Sequence, residues 1–157
     1  NVDAGVVSFL LEKENLDAAG ISAVLNKKSG LQGLSQLSSD SRDIDAGIAA
    51  GNFKALLTQN KLCYEIKKYI GAYAAVMNGV DMIVFTGGIG ENADTVRAKV
   101  CTGLDYLGVK FDAEKNKGLR GKDAYISTPD SKVKLVVATT NEELVIARDT
   151  MNLVTKK

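Results

Sequence analysis

The stretch Ile83-Val84-Phe85-Thr86-Gly87-Gly88-Ile89-Gly90-Glu91-Asn92 constrains this chain more than any other, because a β-branched apolar run passes straight into three glycines. A short continuous apolar run ending in glycine predicts a strand over 81–88 buried on both faces, as in a parallel sheet. Beyond it, Val96, Val100, Leu104 and Leu107 follow helical spacing and predict an amphipathic helix that Gly108 ends. A strand, a glycine turn and a helix set bare backbone N–H groups at the carboxyl edge of a sheet, a common way to hold phosphate. The same letters also serve a plain tight turn with Asn92 as helix cap. A third reading is a dinucleotide fingerprint, since Gly88-x-Gly90-x-x-Ala93 is followed by Asp112 about 20 residues on. Against that stand some eighty preceding residues of helical pattern and the charge of Glu91 beside a pyrophosphate. No Gly-Lys-Ser/Thr follows the glycines, which excludes a Walker A loop.

Helical periodicity dominates the front half. Val6, Val7, Leu10 and Leu11 form one stripe and Ile21, Val24 and Leu25 another, with a break at Ser29-Gly30. A polar stretch, 37–47, reads as a loop feeding a short helix. Leu56, Cys63, Ile66, Ile70, Tyr73 and Met77 predict a long helix packed on one side and closed by Asn78-Gly79. Toward the end, 109–112, 123–130 and 132–140 read as strands, the last two separated by a Pro129-Asp130 turn. Leu144, Ala147, Met151 and Val154 mark a final helix capped by Asn141. Strands alternating with helices predict an α/β layer structure with a helical front half, and no linker divides it.

Two further stretches carry chemistry. Asp40 and Arg42, with one residue between them in a polar loop, suit a ribose and a purine or phosphate, and also suit a helix cap. Glu142 and Glu143 open a helix after a strand, where hard oxygens suit Mg²⁺ and where the helix dipole also favours acids. The formal charge of +1, from 20 basic and 19 acidic residues, gives no footprint for nucleic acid or an anionic membrane. With no histidine, Ser-His and Cys-His nucleophiles and ordinary zinc sites are excluded. Cys63 and Cys101 read as buried thiols of a cytoplasmic protein. No apolar run reaches membrane-spanning length and no leader pattern is present. The first methionine is Met77, which reads as a piece of a longer polypeptide.

Taken together, "SSDSRDI", "IKKYIGAY", "VFTGGIGEN", "ISTPDSKVK" and "TNEELVIARDT" resemble the C-terminal part of the acetate and propionate kinase family. The resemblance runs through residues 1–157 and places them in the acetate and sugar kinase/Hsc70/actin superfamily. It implies an incomplete ribonuclease H-like (actin-like ATPase) nucleotide-binding domain and phosphoryl transfer between ATP and a short-chain carboxylate, giving an acyl phosphate and ADP. It implies Asp40, Ser41 and Arg42 against adenosine, and Gly88, Ile89, Gly90, Glu91 and Asn92 as the adenosine and phosphate loop. Glu142 would help to hold Mg²⁺, with Glu143 as the alternative. The family's more usual loop has alanine where Gly87 stands. Its catalytic arginines, histidine and aspartate come from earlier sequence, so no catalytic residue is expected in 1–157 and these residues should be inactive alone. A homodimer is implied for the full-length protein, with neither nucleic acid nor membrane as partner. A Rossmann-type oxidoreductase and a non-catalytic oligomerisation piece stay open beside this reading.

Overall fold

The computed structural model of the protein describes residues 2–155. It divides into two compact units, the first running to Tyr64 and the second from Glu65 onward. Sequence shows no linker between them because the boundary falls inside one continuous helix.

In the first unit lie α1 (Ala4–Lys13), α2 (Ala18–Ala23), a π-helical turn (Val24–Lys28), α3 (Gly30–Ser35), α4 (Ser41–Ala49) and the start of α5 (Phe53–Val76). Acidic caps start three of these helices: Asp3, Asp17 and Asp40 accept from the amides of Gly5, Gly20 and Arg42 at 2.7, 2.7 and 2.8 Å. Gly30, expected as a stop, takes φ +60° and begins α3. Ile21, Ile44, Ala55 and Cys63 are buried. Gly47 lets α4 and α5 approach, since a Cβ there would come within 3.0 Å of the Ala55 Cβ.

The second unit continues α5 and adds β1 (Met82–Phe85), α6 (Gly87–Asn92), α7 (Asp94–Cys101), α8 (Ala113–Asn116), β2 (Ala124–Tyr125), β3 (Lys134–Val137) and α9 (Glu142–Thr155). Gly79, at φ +129°, closes α5 by donating to the Ala74 carbonyl at 2.8 Å. The strands form a sheet in the order β1-β3-β2. β1 and β3 are parallel, with Phe85 opposite Val137, and β2 is antiparallel to β3. Val100, Leu104, Ile126, Val133, Leu135 and Val137 are each no more than 2% exposed and form the core against this sheet. Burying side chains of this kind contributes about 1.5–3 kcal/mol each.

Several expectations change. β1 is not covered on both faces: Met82 and Val84 are 43% and 50% exposed, so the face they share has nothing packed over it among the described residues. The helix after the glycines ends at Cys101, because Gly103 takes φ +78°; Leu104 is buried from the turn that follows, and Gly108 ends only a 3₁₀ turn. Residues 109–112 contribute isolated bridges, Val109 to Val133 and Phe111 to Ser127, in place of a strand. On α5 the buried positions are Ala55, Thr58, Gln59, Cys63 and Ala74, whereas Tyr73 and Met77 are exposed. The stripe on α9 is likewise open to solvent, Met151 and Val154 included. Cys63 and Cys101 are buried free thiols as expected, and burial pushes the Cys101 thiol up to about 12.

Arg97 holds α6 and α7 together. Fully buried, it donates from Nε to Asn116 Oδ1 at 2.8 Å and from its terminal nitrogens to the carbonyls of Gly90 and Leu119 at 2.8 and 2.7 Å. Desolvation lowers its pKa, opposed by the charge of Asp94, yet a guanidinium stays protonated. A second guanidinium, that of exposed Arg120, donates to the Asn92 carbonyl at 3.0 Å. Removing a donor strands a buried acceptor only in the first case. Arg97→Met should therefore lower the unfolding free energy by about 3 kcal/mol or more, and Arg120→Met by about 1 kcal/mol or less. Urea midpoints of the two variants test this; equal losses would contradict the assignment.

Candidate functional site

The parallel register of β1 and β3 decides where the chemistry-bearing residues go. Both strands run the same way with Phe85 beside Val137, and the Ala138 amide donates to the Phe85 carbonyl at 2.9 Å. The glycines after β1 and the acidic pair after β3 therefore leave the sheet at one carboxyl edge, the usual location of ligands in such sheets. Gly88, Glu91, Thr140, Asn141, Glu142 and Glu143 line a cleft of about 470 Å³ at that edge.

The three glycines serve different purposes. Gly87 takes φ +69°, a conformation that favours glycine over the alanine of the family's more usual loop. At Gly90 a Cβ would sit 2.9 Å from the Phe85 carbonyl carbon, so any side chain would push α6 off β1. Gly88 has neither reason: its φ is not positive, and a Cβ there would meet nothing within 4 Å. First-turn amides of a helix lack partners within it. That of Gly87 is given to Glu91, which leaves those of Gly88 and Ile89 without an acceptor among the described residues.

Glu91 is a buried carboxylate whose Oε1 accepts from the Gly87 amide at 2.9 Å and from the Thr140 amide and hydroxyl at 2.8 Å each. The Thr140 hydroxyl and amide hold its pKa below the usual carboxylate value, while burial and, less strongly, nearby Asp123 oppose them. Asp123 in turn accepts from the Thr139 amide and hydroxyl at 2.7 and 2.8 Å. Asn141 caps α9, its Oδ1 accepting from the Leu144 amide at 2.9 Å. The Glu142 and Glu143 side chains make no hydrogen bond or ion pair among the described residues. Ile89, Gly90 and Asn92 share α6 but do not line the cleft; the Asn92 side chain donates back to the Gly88 carbonyl at 3.0 Å and caps no helix.

Asp40, Ser41 and Arg42 lie in the first unit. Ser35 builds the turn before them: its Oγ accepts from the Leu37 and Ser38 amides at 3.1 and 3.2 Å, and Ser38 Oγ accepts from the Asp40 amide at 3.0 Å. Ser41 is the first residue of α4. The Arg42 side chain, 88% exposed, folds back so that Nε and a terminal nitrogen donate to Asp40 at 3.0 and 2.5 Å. These bonds lower the Asp40 carboxyl to about 2. Asp112, the acid that a dinucleotide fingerprint requires, is the cap of α8, accepting from the Lys115 amide at 3.1 Å, and it is not at a strand end.

Sequence reasoning missed Thr140, Asp123 and Arg97. The pair Thr139-Thr140, hydroxyls between a strand and a cap, was the available signal; nothing local announces the reach of Glu91 or Arg97.

The chain matches the Acetokinase family over residues 1–148. It is 54% identical over its whole length to an acetate kinase of Parabacteroides distasonis, of which it covers 39%. The crystal structure of Porphyromonas gingivalis acetate kinase superposes with a TM-score of 0.89 at 53% identity, over 99% of this chain and 39% of that one. A propionate kinase from Francisella tularensis gives 0.81 at 31% identity, over 94% of this chain and 37% of that one. The chain thus spans about two fifths of the length of these relatives. A mixed α/β chain with its glycine turn and acidic pair at one sheet edge, and with these relatives along its length, belongs to the acetokinase family.

Proposed function

We propose that residues 1–157 are the C-terminal, nucleotide-binding part of an acetate kinase, ribonuclease H-like in the manner of actin. The full-length enzyme moves a phosphoryl group between ATP and acetate, giving acetyl phosphate and ADP. Gly88 carries this reading. Neither dihedral strain nor packing demands glycine there, and the residue that would fill the gap faces two uncommitted carboxylates across a polar cleft. Close approach of a ligand to the backbone is the remaining reason for a missing side chain. A non-catalytic oligomerisation role would leave it without one. Acetate is preferred to propionate as acceptor on the higher identity to acetate kinases, 54% against 31%.

In this reading the amides of Gly88 and Ile89 bind phosphate oxygens, and Gly90 and Asn92 keep α6 in place. Asp40, Ser41 and Arg42 meet the adenosine. Glu142 holds Mg²⁺ directly or through water, with Glu143 beside it. The donor set fits: hard oxygens, with no group of three His, Cys, Asp or Glu side chains among the described residues that would cage a metal alone. Magnesium takes one or two carboxylates and keeps water and phosphate for the rest of its shell. When bound, it neutralises charge on the phosphates during transfer. Positioning and charge stabilisation need both walls of a cleft, so residues 1–157 alone should not turn over. A cytoplasmic homodimer is proposed for the full-length protein on the family resemblance; among the described residues no helix is long and apolar enough to cross a membrane.

Gly88→Ala in the full-length chain should leave the melting temperature unchanged and weaken ADP about 10-fold or more in calorimetry, the cost of a lost hydrogen bond to a charged group. Unchanged ADP affinity, or no hydroxamate from acetate, ATP and hydroxylamine with the wild type, would overturn the proposal. A second prediction concerns Asp40. Because its pKa is depressed in the fold, its contribution is present above about pH 4 and is lost as pH falls through about 2. Arg42→Ala should raise the Asp40 midpoint in a carboxyl NMR titration, though not fully, since the residue 42 amide still donates. The same variant should weaken ADP binding.

A further inference from the structure

We infer that Glu91 is a positioning residue that fixes the spacing between the glycine turn and the acidic pair, and that it contacts neither nucleotide nor metal. One oxygen, Oε1, takes the Gly87 amide from the turn after β1 and both donors of Thr140 from the turn after β3. Thr140 stands two residues before Glu142, and Gly87 one before Gly88. A single atom thus sets the distance across the cleft. Three donors at 2.8–2.9 Å occupy that oxygen, which commits it to the two turns and makes it a poor ligand. Asp123 braces the same turn one residue earlier, through the amide and hydroxyl of Thr139 at 2.7 and 2.8 Å. Two consecutive threonines held by two carboxylates, one on α6 and one in the loop before β2, give the start of α9 a defined path. Supporting groups around a metal site act in this way, through the ligands they orient.

This inference rests on the proposed Mg-nucleotide site, and the test separates the two. Binding of a fluorescent ADP analogue to the full-length chain is measured with Mg²⁺ and with EDTA, for the wild type, Glu91→Gln, Thr140→Val, Thr140→Ser and the Glu91→Gln/Thr140→Val double variant. The expected result is a loss of about 10-fold in the Mg²⁺-dependent gain for Glu91→Gln, with less change in EDTA. Thr140→Val should show a similar loss, Thr140→Ser should keep the wild-type gain, and the double variant should be no worse than either single one. Thr140 is at the surface, so the valine and serine pair carries the comparison even where Glu91→Gln folds poorly. Additive losses, or an equal loss in EDTA, would mean that Glu91 touches the nucleotide and would overturn the inference while leaving the site intact. No Mg²⁺-dependent gain in the wild type would remove the site itself.

Discussion

Parallel pairing of β1 with β3 is the constraint on which the rest depends. Antiparallel pairing would send the two strand ends to opposite edges, and the glycine turn and the acidic pair would never meet. Parallel pairing sends both to one edge, and the register, Phe85 beside Val137, brings them out level. The buried residues enforce this register. Leu135 and Val137 are fully buried on one face of β3, and a slip of one residue would turn both to the other side.

Above that edge, charged groups do the work that core packing does below it. α6 has only six residues, too few for a stable isolated helix, and its ends are tied by side chains, two from beyond it and one its own. Arg97 and Arg120 take the carbonyls of Gly90 and Asn92, while Glu91 takes the amide of Gly87. Each charge sits where the helix dipole favours it, cations at the C-terminal end and a carboxylate at the N-terminal end. The amides of Gly88 and Ile89 are what this bracing leaves over. The proposed phosphate contacts would draw on such uncommitted donors, since donors that must first reorganise lose part of the binding energy.

Local signals in the sequence were readable where short-range physics decides. The helix caps at Asp40 and Asn141, the close of α5 at Gly79, the glycine turn after β1 and the short helix after 40 all follow from residues within a turn of one another. The order of motifs was enough to indicate the family. Faces were less legible: Tyr73, Met77, Met151 and Val154 keep helical spacing, but spacing says nothing of what lies opposite, and nothing described covers them. The same holds for β1, whose apolar run suits two covered faces although it forms an edge. Least legible were the long-range ties, Glu91 to Thr140 and Arg97 to Leu119, separated by 49 and 22 residues. A charged residue in a helical stretch reads as a solvated face until the fold buries it.

The shared edge itself can be tested most directly by distance from a metal. Mn²⁺, bound in place of Mg²⁺ with ADP in the full-length chain, broadens amide signals in proportion to proximity. Strong broadening at Gly88, Ile89, Glu142 and Glu143 together, abolished in Glu142→Gln/Glu143→Gln, is the expected result. Broadening that spares either the glycine turn or the acidic pair would contradict a common site.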